Sequence, residues 1–254
     1  MFGLQNFNGS CWVNACLQAI YRFPEVQYRY SNNQSDKSNQ IDVALENIWI
    51  SRGKLGLKDF FDVVRTSTMP AGNGIGDSHE LLNYLCDKLP YLDELCRFKV
   101  ADTIECVSCK DKQIREDSVT QYNIVSQGNH VPISQCIMDT VIPNTIPDWV
   151  CEKCSQKGCS CQHLIGTFPK IMVFYMTSPN GTIDYSSLLI LNNKKYALSS
   201  VVCYNGSHWW TRARNMPPGS SWYTLDDQNV TEHGAKQFPV SNMMRILIYY
   251  RTED

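Results

Sequence analysis

No stretch of about 18 consecutive apolar residues occurs in these 254 residues, so no membrane-crossing helix is expected. Charge is sparse and balanced: 23 Lys and Arg against 25 Asp and Glu, a formal net charge of −2. That excludes the basic surface of a nucleic-acid-binding protein. There are no internal repeats and no low-complexity linker. Charged residues make up only 19% and hydrophobic residues 43%, which excludes disorder and suits a folded globular chain of one large or two small domains.

What is abundant is cysteine, at 12 residues. An even count can mark a secreted disulfide framework. The arrangement argues otherwise. Cys106-Val-Ser-Cys109 and Cys151-Glu-Lys-Cys154 are C-x-x-C knuckles, which read as zinc ligands in a reducing compartment. Sequons begin at Asn8, Asn33, Asn180, Asn205 and Asn229. Glycans at Asn8 or Asn205 would block the site proposed below, so the sequons are read as unused and the protein as cytoplasmic. Met1-Phe2 leads straight into the first motif, leaving no room for a signal peptide.

That motif is Gly3-Leu4-Gln5-Asn6-Phe7-Asn8-Gly9-Ser10-Cys11-Trp12-Val13-Asn14-Ala15-Cys16-Leu17-Gln18. Val13, Cys16, Leu17, Ile20 and Tyr21 fall at i, i+3, i+4, i+7 and i+8, which predicts a helix over 11–22 that stops before Pro24. Cys11 then stands at its N-terminus, where the helix dipole favours the reactive thiolate. Asn6 supplies an amide donor near the same spot, the beginning of an acyl-transfer site. The plain reading of a lone cysteine here is a buried structural one. The stretch, however, resembles the cysteine box of the ubiquitin-specific proteases, G-L-x-N-x-x-x-x-C-[YFW]-x-N-x-x-L-Q, with Gly3, Leu4, Asn6, Cys11, Trp12, Asn14, Leu17 and Gln18 in place. A related Asn-x-Cys-Trp/Tyr-x-Asn pattern occurs in nidovirus papain-like proteases. In the family some chain precedes this box, so the sequence is expected to be a domain of a longer protein.

Residues 28–39 are polar and read as a loop. Val43, Leu45, Ile48 and Trp49 mark a second helix, and Phe60, Phe61 and Val64 a third over 57–65. The Pro- and Gly-rich residues 69–75 read as a loop. Asp77 and Glu80 form a capping box before a helix that buries Leu81, Leu82, Leu85 and Leu89, with His79 on its solvent face. This segment resembles the family's Q-Q-D-A-x-E-F-L, with Asp77, Ser78, Glu80 and Leu81 matching and Ile75 and Gly76 replacing the glutamines. From Phe98 the pattern turns to β. Strands are expected at 98–106, 119–125, 171–176, 187–191, 196–204, 209–214, 222–225 and 244–250.

Two C-x-x-C pairs supply four thiolates for one structural zinc, clamping two short hairpins. This resembles the zinc-bearing fingers of the ubiquitin-specific proteases. Nidovirus enzymes close such a site with C-x-C, so Cys159 and Cys161 stand as alternative ligands to Cys151 and Cys154, or as a second metal site.

A thiol protease needs an imidazole near the thiol and a group that fixes its tautomer. His208, in Ser207-His208-Trp209 between two strand-like runs, resembles the family's G-H-Y box, with a shorter preceding loop. Trp222-Tyr223-Thr224-Leu225-Asp226-Asp227 resembles W-Y-x-F-D-D. The resemblance assigns Asp226 as orienter and Asp227 as a secondary polar contact. His130, His163 and His233 have no such context.

The resemblance implies an α+β, papain-like right-hand fold: one catalytic domain, 1–254, with a helical thumb (1–97), zinc-bearing β fingers (98–165) and a β palm (166–254). It implies a monomeric cysteine protease whose thiolate–imidazolium pair, Cys11 and His208, attacks after the C-terminal Gly-Gly of ubiquitin or a ubiquitin-like modifier, with Asn6 at the oxyanion. The short domain suits a viral enzyme that also cleaves a viral polyprotein. Readings from other classes are a catalytically inactive zinc-containing ubiquitin-binding module and a zinc scaffold in which Cys11 is inert.

Overall fold

The computed structural model describes residues 1–67, 76–126, 128–177, 181–216, 221–235 and 241–252. The expected loop at 69–75, with Ile75, and the sequon at Asn180 lie outside them.

A helical half comes first. Helix α1 (Cys11–Ile20) is buried along all ten residues. A one-sided apolar stripe cannot explain that; α1 is the central helix, covered on every side. Around it run α2 (Pro24–Ser31), α3 (Gln40–Ile50), α4 (Leu57–Ser67), α5 (Ser78–Lys88) and α6 (Pro90–Cys96). Asn39 caps α3 by accepting from the Ile41 and Asp42 N–H groups.

Three expectations change here. Residues 28–31 are not loop but the end of α2. Pro24 sits in the first turn of α2, where its missing N–H is harmless, and Glu25 and Arg29 complement the two ends of the dipole. The Asp77 side chain accepts from the His79 N–H at 2.7 Å, the second helical amide rather than the third that a capping box uses. His79 does not point to solvent: its ring stacks on Tyr175 with centroids 3.7 Å apart, and burial lowers its pKa.

The β half begins with β1 (Phe98–Cys106), β2 (Lys112–Val119), β3 (Tyr122–Ile124) and β4 (Val131–Pro132). The expected strand at 119–125 is thus the end of β2, a turn and β3. Then come α7 (Ile133–Val141), β5 (Asn144–Val150), β6 (Lys157–Ile165), β7 (Ile171–Met176), β8 (Ile183–Asp184) and β9 (Leu188–Leu191). Last are β10 (Lys194–Tyr204), β11 (Trp209–Ala213), β12 (Trp222–Asp226), β13 (Asn229–Gly234) and β14 (Met244–Arg251). One sheet has the order β2-β1-β6-β5; a second has β13-β12-β11-β10-β14-β7-β3, with β9 on β10; β4 and β8 form a small pair.

The centre of the large sheet, β10, β14 and β7, is buried on both faces, which is why β7 and β14 read as continuous apolar runs. Ile171, Val173, Ile246 and Ile248 face the helical core, while Met172, Phe174, Leu247 and Tyr249 pack into a second core on the other face. Helix α1 lies on β11, tied by the Thr211 hydroxyl donating to the Ala15 carbonyl at 2.7 Å. That contact brings the two ends of the sequence together.

Candidate active site and zinc centre

The loop before α1 is folded around Asn6. Its Oδ1 accepts from the Gly9 and Ser10 N–H groups, both at 3.1 Å, while the Ser10 hydroxyl accepts from the Phe7 N–H at 2.8 Å. Asn8 and Gly9 take left-handed backbone, with φ of 46° and 96°. With its carbonyl committed to the loop, Asn6 presents Nδ2 outward, where it donates to Asp227 Oδ2 at 2.8 Å.

Asp227 occupies the turn between β12 and β13 with φ of 53°. Its Oδ1 accepts from Asn14 Nδ2 at 2.7 Å and its backbone carbonyl from the Leu4 N–H at 2.8 Å. Asn14 also reaches the Gln5 carbonyl at 3.1 Å, and Gln18 Nε2 reaches the Phe2 carbonyl at 2.6 Å. These two amides stitch residues 2–5 onto α1. Sequence reasoning matched Asn14 and Gln18 to the box without a role; their one-turn spacing on the helix carrying Cys11 was the available signal.

Cys11 is the first residue of α1 and only 2% exposed. Burial pushes its thiol up, the Trp209 N–H pulls it down, and the Asp227 carboxylate adds a smaller upward push. The net shift is upward, with desolvation its largest cause, in the direction opposite to the thiolate that the helix N-terminus favours. The Trp209 N–H acts on the thiol, which places Cys11 near the residue that follows His208.

His208 stands at the start of β11. Asn205 Oδ1 folds the preceding turn by accepting from the Ser207 and His208 N–H groups at 3.0 and 2.9 Å. The imidazole stacks on Trp210 and holds Asp226 Oδ1 with Nε2 at 2.6 Å; Asp227 Oδ2 is 4.0 Å away. Nδ1 is the ring nitrogen left over for the thiol. His208, Asp226 and Asp227 are close enough to share a cation. Their oxygens are already engaged, Asp227 by two amides and Asp226 by the imidazole, so the donor set fits a proton relay better than a metal. Gly76, where the family pattern has glutamine, lies under Trp12: a Cβ there would meet the indole at 2.6 Å.

The second cluster lies in the four-stranded sheet. One knuckle turns between β1 and β2, the other between β5 and β6, as two clamped hairpins. Cys106, Cys109, Cys151 and Cys154 bring their sulfurs within 4.8 Å of one another, with Cys106–Cys154 and Cys109–Cys151 at 3.7 Å. Four sulfurs at about 2.3 Å from one tetrahedral zinc stand about 3.8 Å apart, so the set fits the ion. The Cys109 N–H, and after an opposing effect of desolvation that of Ser108, pull the Cys106 thiol down, while the neighbouring thiols push that of Cys109 up. Cys159 and Cys161 lie on β6 outside this cluster; Cys159 faces Cys106 across the β1–β6 ladder. His163 is bonded to Asp102, His130 to Asp184 and His233 to Thr224.

The family model described as ubiquitin carboxyl-terminal hydrolase matches residues 2–185. The chain is 20% identical to the probable ubiquitin carboxyl-terminal hydrolase 8 of Schizosaccharomyces pombe, over 98% of this chain and 64% of that protein. It is 22% identical to ubiquitin carboxyl-terminal hydrolase 47 of Drosophila melanogaster, over 68% of this chain and 13% of that protein. The chain therefore spans less than two thirds of either relative. Among solved structures, the SAGA DUB module containing Ubp8, bound to monoubiquitin, superposes with a TM-score of 0.80 over 100% of this chain and 69% of that one, at 14% identity. The same module bound to ubiquitin aldehyde gives 0.79 over 100% and 70%, at 13% identity. The fold is thus shared with Ubp8. By the match over residues 2–185, this chain belongs to the ubiquitin carboxyl-terminal hydrolase family.

Proposed function

We propose that the chain is a cysteine deubiquitinase, hydrolysing the peptide or isopeptide bond after the C-terminal Gly-Gly of ubiquitin or a ubiquitin-like modifier. The observation that carries this reading is that Cys11 lies near the N–H of Trp209, the residue after His208, whose Nε2 is held by Asp226 at 2.6 Å. The family match and the ubiquitin-bound relatives support the substrate class.

In this reading His208 Nδ1 takes the proton from the Cys11 thiol as substrate enters, and the sulfur attacks the glycine carbonyl. Asp226 stabilises the imidazolium and fixes the tautomer. Asn6 Nδ2, with one hydrogen on Asp227, offers its other to the oxyanion together with the Cys11 N–H. One such donor contributes about 3–4 kcal/mol. His208 then protonates the leaving amine, and water releases the thioester. The helical half is the thumb, the four-stranded sheet the fingers and the large sheet the palm. One structural zinc on Cys106, Cys109, Cys151 and Cys154 clamps the finger tips, and a closed four-thiolate site leaves it no catalytic position.

Ubiquitin carrying a C-terminal electrophile tests this. A covalent adduct mapped to Cys11 by mass spectrometry, and lost in His208→Ala, is expected. No adduct, with Cys11 still modified by a small alkylating reagent, turns the reading toward another ubiquitin-like modifier or a viral polyprotein peptide, the latter suggested by the nidovirus-like start. No reaction with either favours an inactive binding module.

A further inference from the structure

At the far end of α1 from Cys11 lies a second feature that the proposed chemistry does not use. Arg22 is 2% exposed. Its Nε donates to the Gln18 carbonyl at 3.1 Å and its Nη1 to Asn215 Oδ1 at 3.2 Å, with Met1 Sδ also against Nη1. Among the described residues, its buried Nη2 has no hydrogen-bond partner and no carboxylate acts on the guanidinium. A buried, uncompensated guanidinium is costly. Burial accordingly lowers its pKa to about 10.

Arg22 lines a cavity of about 360 Å³ between the end of α1, α2 and the end of α3. Arg52 is in the same wall, with Gln27, Ser31 and Asn215 as neutral polar groups, and no acidic side chain lines it. Arg52 also borders a neighbouring cleft that carries Lys54 and Lys58.

We propose that this cavity is a binding site for a small oxyanion, a phosphate or carboxylate group held by the guanidiniums of Arg22 and Arg52, both in its wall. Guanidinium presents parallel N–H donors that match two oxygens of either group. Neutral amide and hydroxyl side chains can satisfy the remaining oxygen lone pairs. At a rise of 1.5 Å per residue the site is about 15 Å from Cys11, so it is separate from the proposed catalytic centre.

Thermal melting tests it, with sodium phosphate and sodium acetate each compared against sodium chloride at matched ionic strength. The midpoint of the unaltered chain is expected to rise with phosphate or acetate concentration beyond the chloride control, because a ligand of the folded state stabilises by mass action. The larger rise identifies which oxyanion fits. Arg22→Met, which exchanges an uncompensated buried charge for apolar volume, is expected to melt no lower than the unaltered chain and to lose the anion response. Arg52→Asn keeps a residue that tolerates the φ of 55° there and is expected to weaken the anion response roughly tenfold, the loss of one charged hydrogen bond. This second variant holds if Arg22→Met fails to fold. No rise beyond chloride, or an equal rise in the variants, overturns the site; an equal rise would point to the Lys54 and Lys58 cleft.

Discussion

Asn6 and Asp227 are 221 positions apart in the chain and joined by a hydrogen bond of 2.8 Å from Nδ2 to Oδ2. Both Asp227 oxygens accept from side-chain amides, one from Asn6 and one from Asn14. In the proposed mechanism Asp227 is therefore a positioning residue, aiming the Asn6 amide while Asp226 aims the imidazole. Two adjacent carboxylates, at the end of one strand and in the turn after it, orient two different groups of one site.

Asp227→Asn tests that division. Asparagine tolerates the left-handed backbone at 227, but its amide cannot accept from both Asn6 and Asn14. Losing one oxyanion donor costs about 10²–10³ in kcat, and a misplaced Asn6 should lose a large part of that. The expected result is a fall in kcat of on the order of 10²-fold with KM little changed, and no further fall when Asn6→Ala is added, because the two act as a unit. Steady-state kinetics on a ubiquitin C-terminal fluorogenic substrate measure it. Additive losses would separate the two residues.

The thiol gives a pH prediction. Burial, and more weakly Asp227, favour the protonated form of Cys11, while the Trp209 N–H favours the thiolate; the net shift is upward. Alkylation of Cys11 in the absence of substrate should therefore keep rising as pH passes the ordinary thiol range near 8.5. Asp227→Asn removes a like-charge push and should move the profile to lower pH. Rates of modification by iodoacetamide, followed by mass spectrometry, report it. A plateau already reached near neutrality would mean a resting thiolate–imidazolium pair.

For the metal, the expectation is one zinc per chain held by Cys106, Cys109, Cys151 and Cys154. Cys154→Ser should reduce bound zinc to near zero and lower the melting temperature, since metal binding is coupled to folding and amounts to roughly 10 kcal/mol or more in small zinc peptides. Cys161→Ser, altered outside the cluster, should keep both. Elemental analysis with thermal melting checks this. Zinc retained by Cys154→Ser but lost from Cys161→Ser would move the site onto β6.

Much of this site was legible because its residues sit in short, chemically constrained strings. Cys11 had to begin a helix, and Asp226-Asp227 had to end a strand. The C-x-x-C spacing defined two hairpins before β1, β2, β5 and β6 could be paired. What stayed illegible depends on long-range burial. Trp149 and Pro147 obscured β5, and the polar content of β6 and β13 hid two strands whose partners are set by sheet position. The sign of the Cys11 shift could not be read from the helix alone, since the opposing groups, Trp209 and Asp227, come from the other end of the chain. His79 was misplaced for the same reason: Tyr175, its stacking partner, lies in β7.

Gly3 lies against the turn that carries Asp227 and Gln228. A Cβ at this position would lie 2.3 Å from the Gln228 carbonyl oxygen and 2.7 Å from its Cα, contacts with backbone that no rotamer change can relieve. The segment cannot simply lift away, because the Phe2 carbonyl is held by Gln18 and the Leu4 N–H by the Asp227 carbonyl. Gly3→Ala must therefore push the Asp227-Gln228 turn, and with it the two carboxylates that orient His208 and Asn6. Overpacking of this kind costs about 1–3 kcal/mol. The comparison is Gly206→Ala: nothing lies within 4 Å of a Cβ there, so only the φ of 99° opposes it. Gly3→Ala is expected to lower kcat more than its loss of melting temperature predicts, whereas Gly206→Ala should lower both modestly and in proportion. Equal effects would mean that the close approach of Gly3 to the turn contributes to folding alone and leaves the geometry of Asp226 and Asp227 untouched.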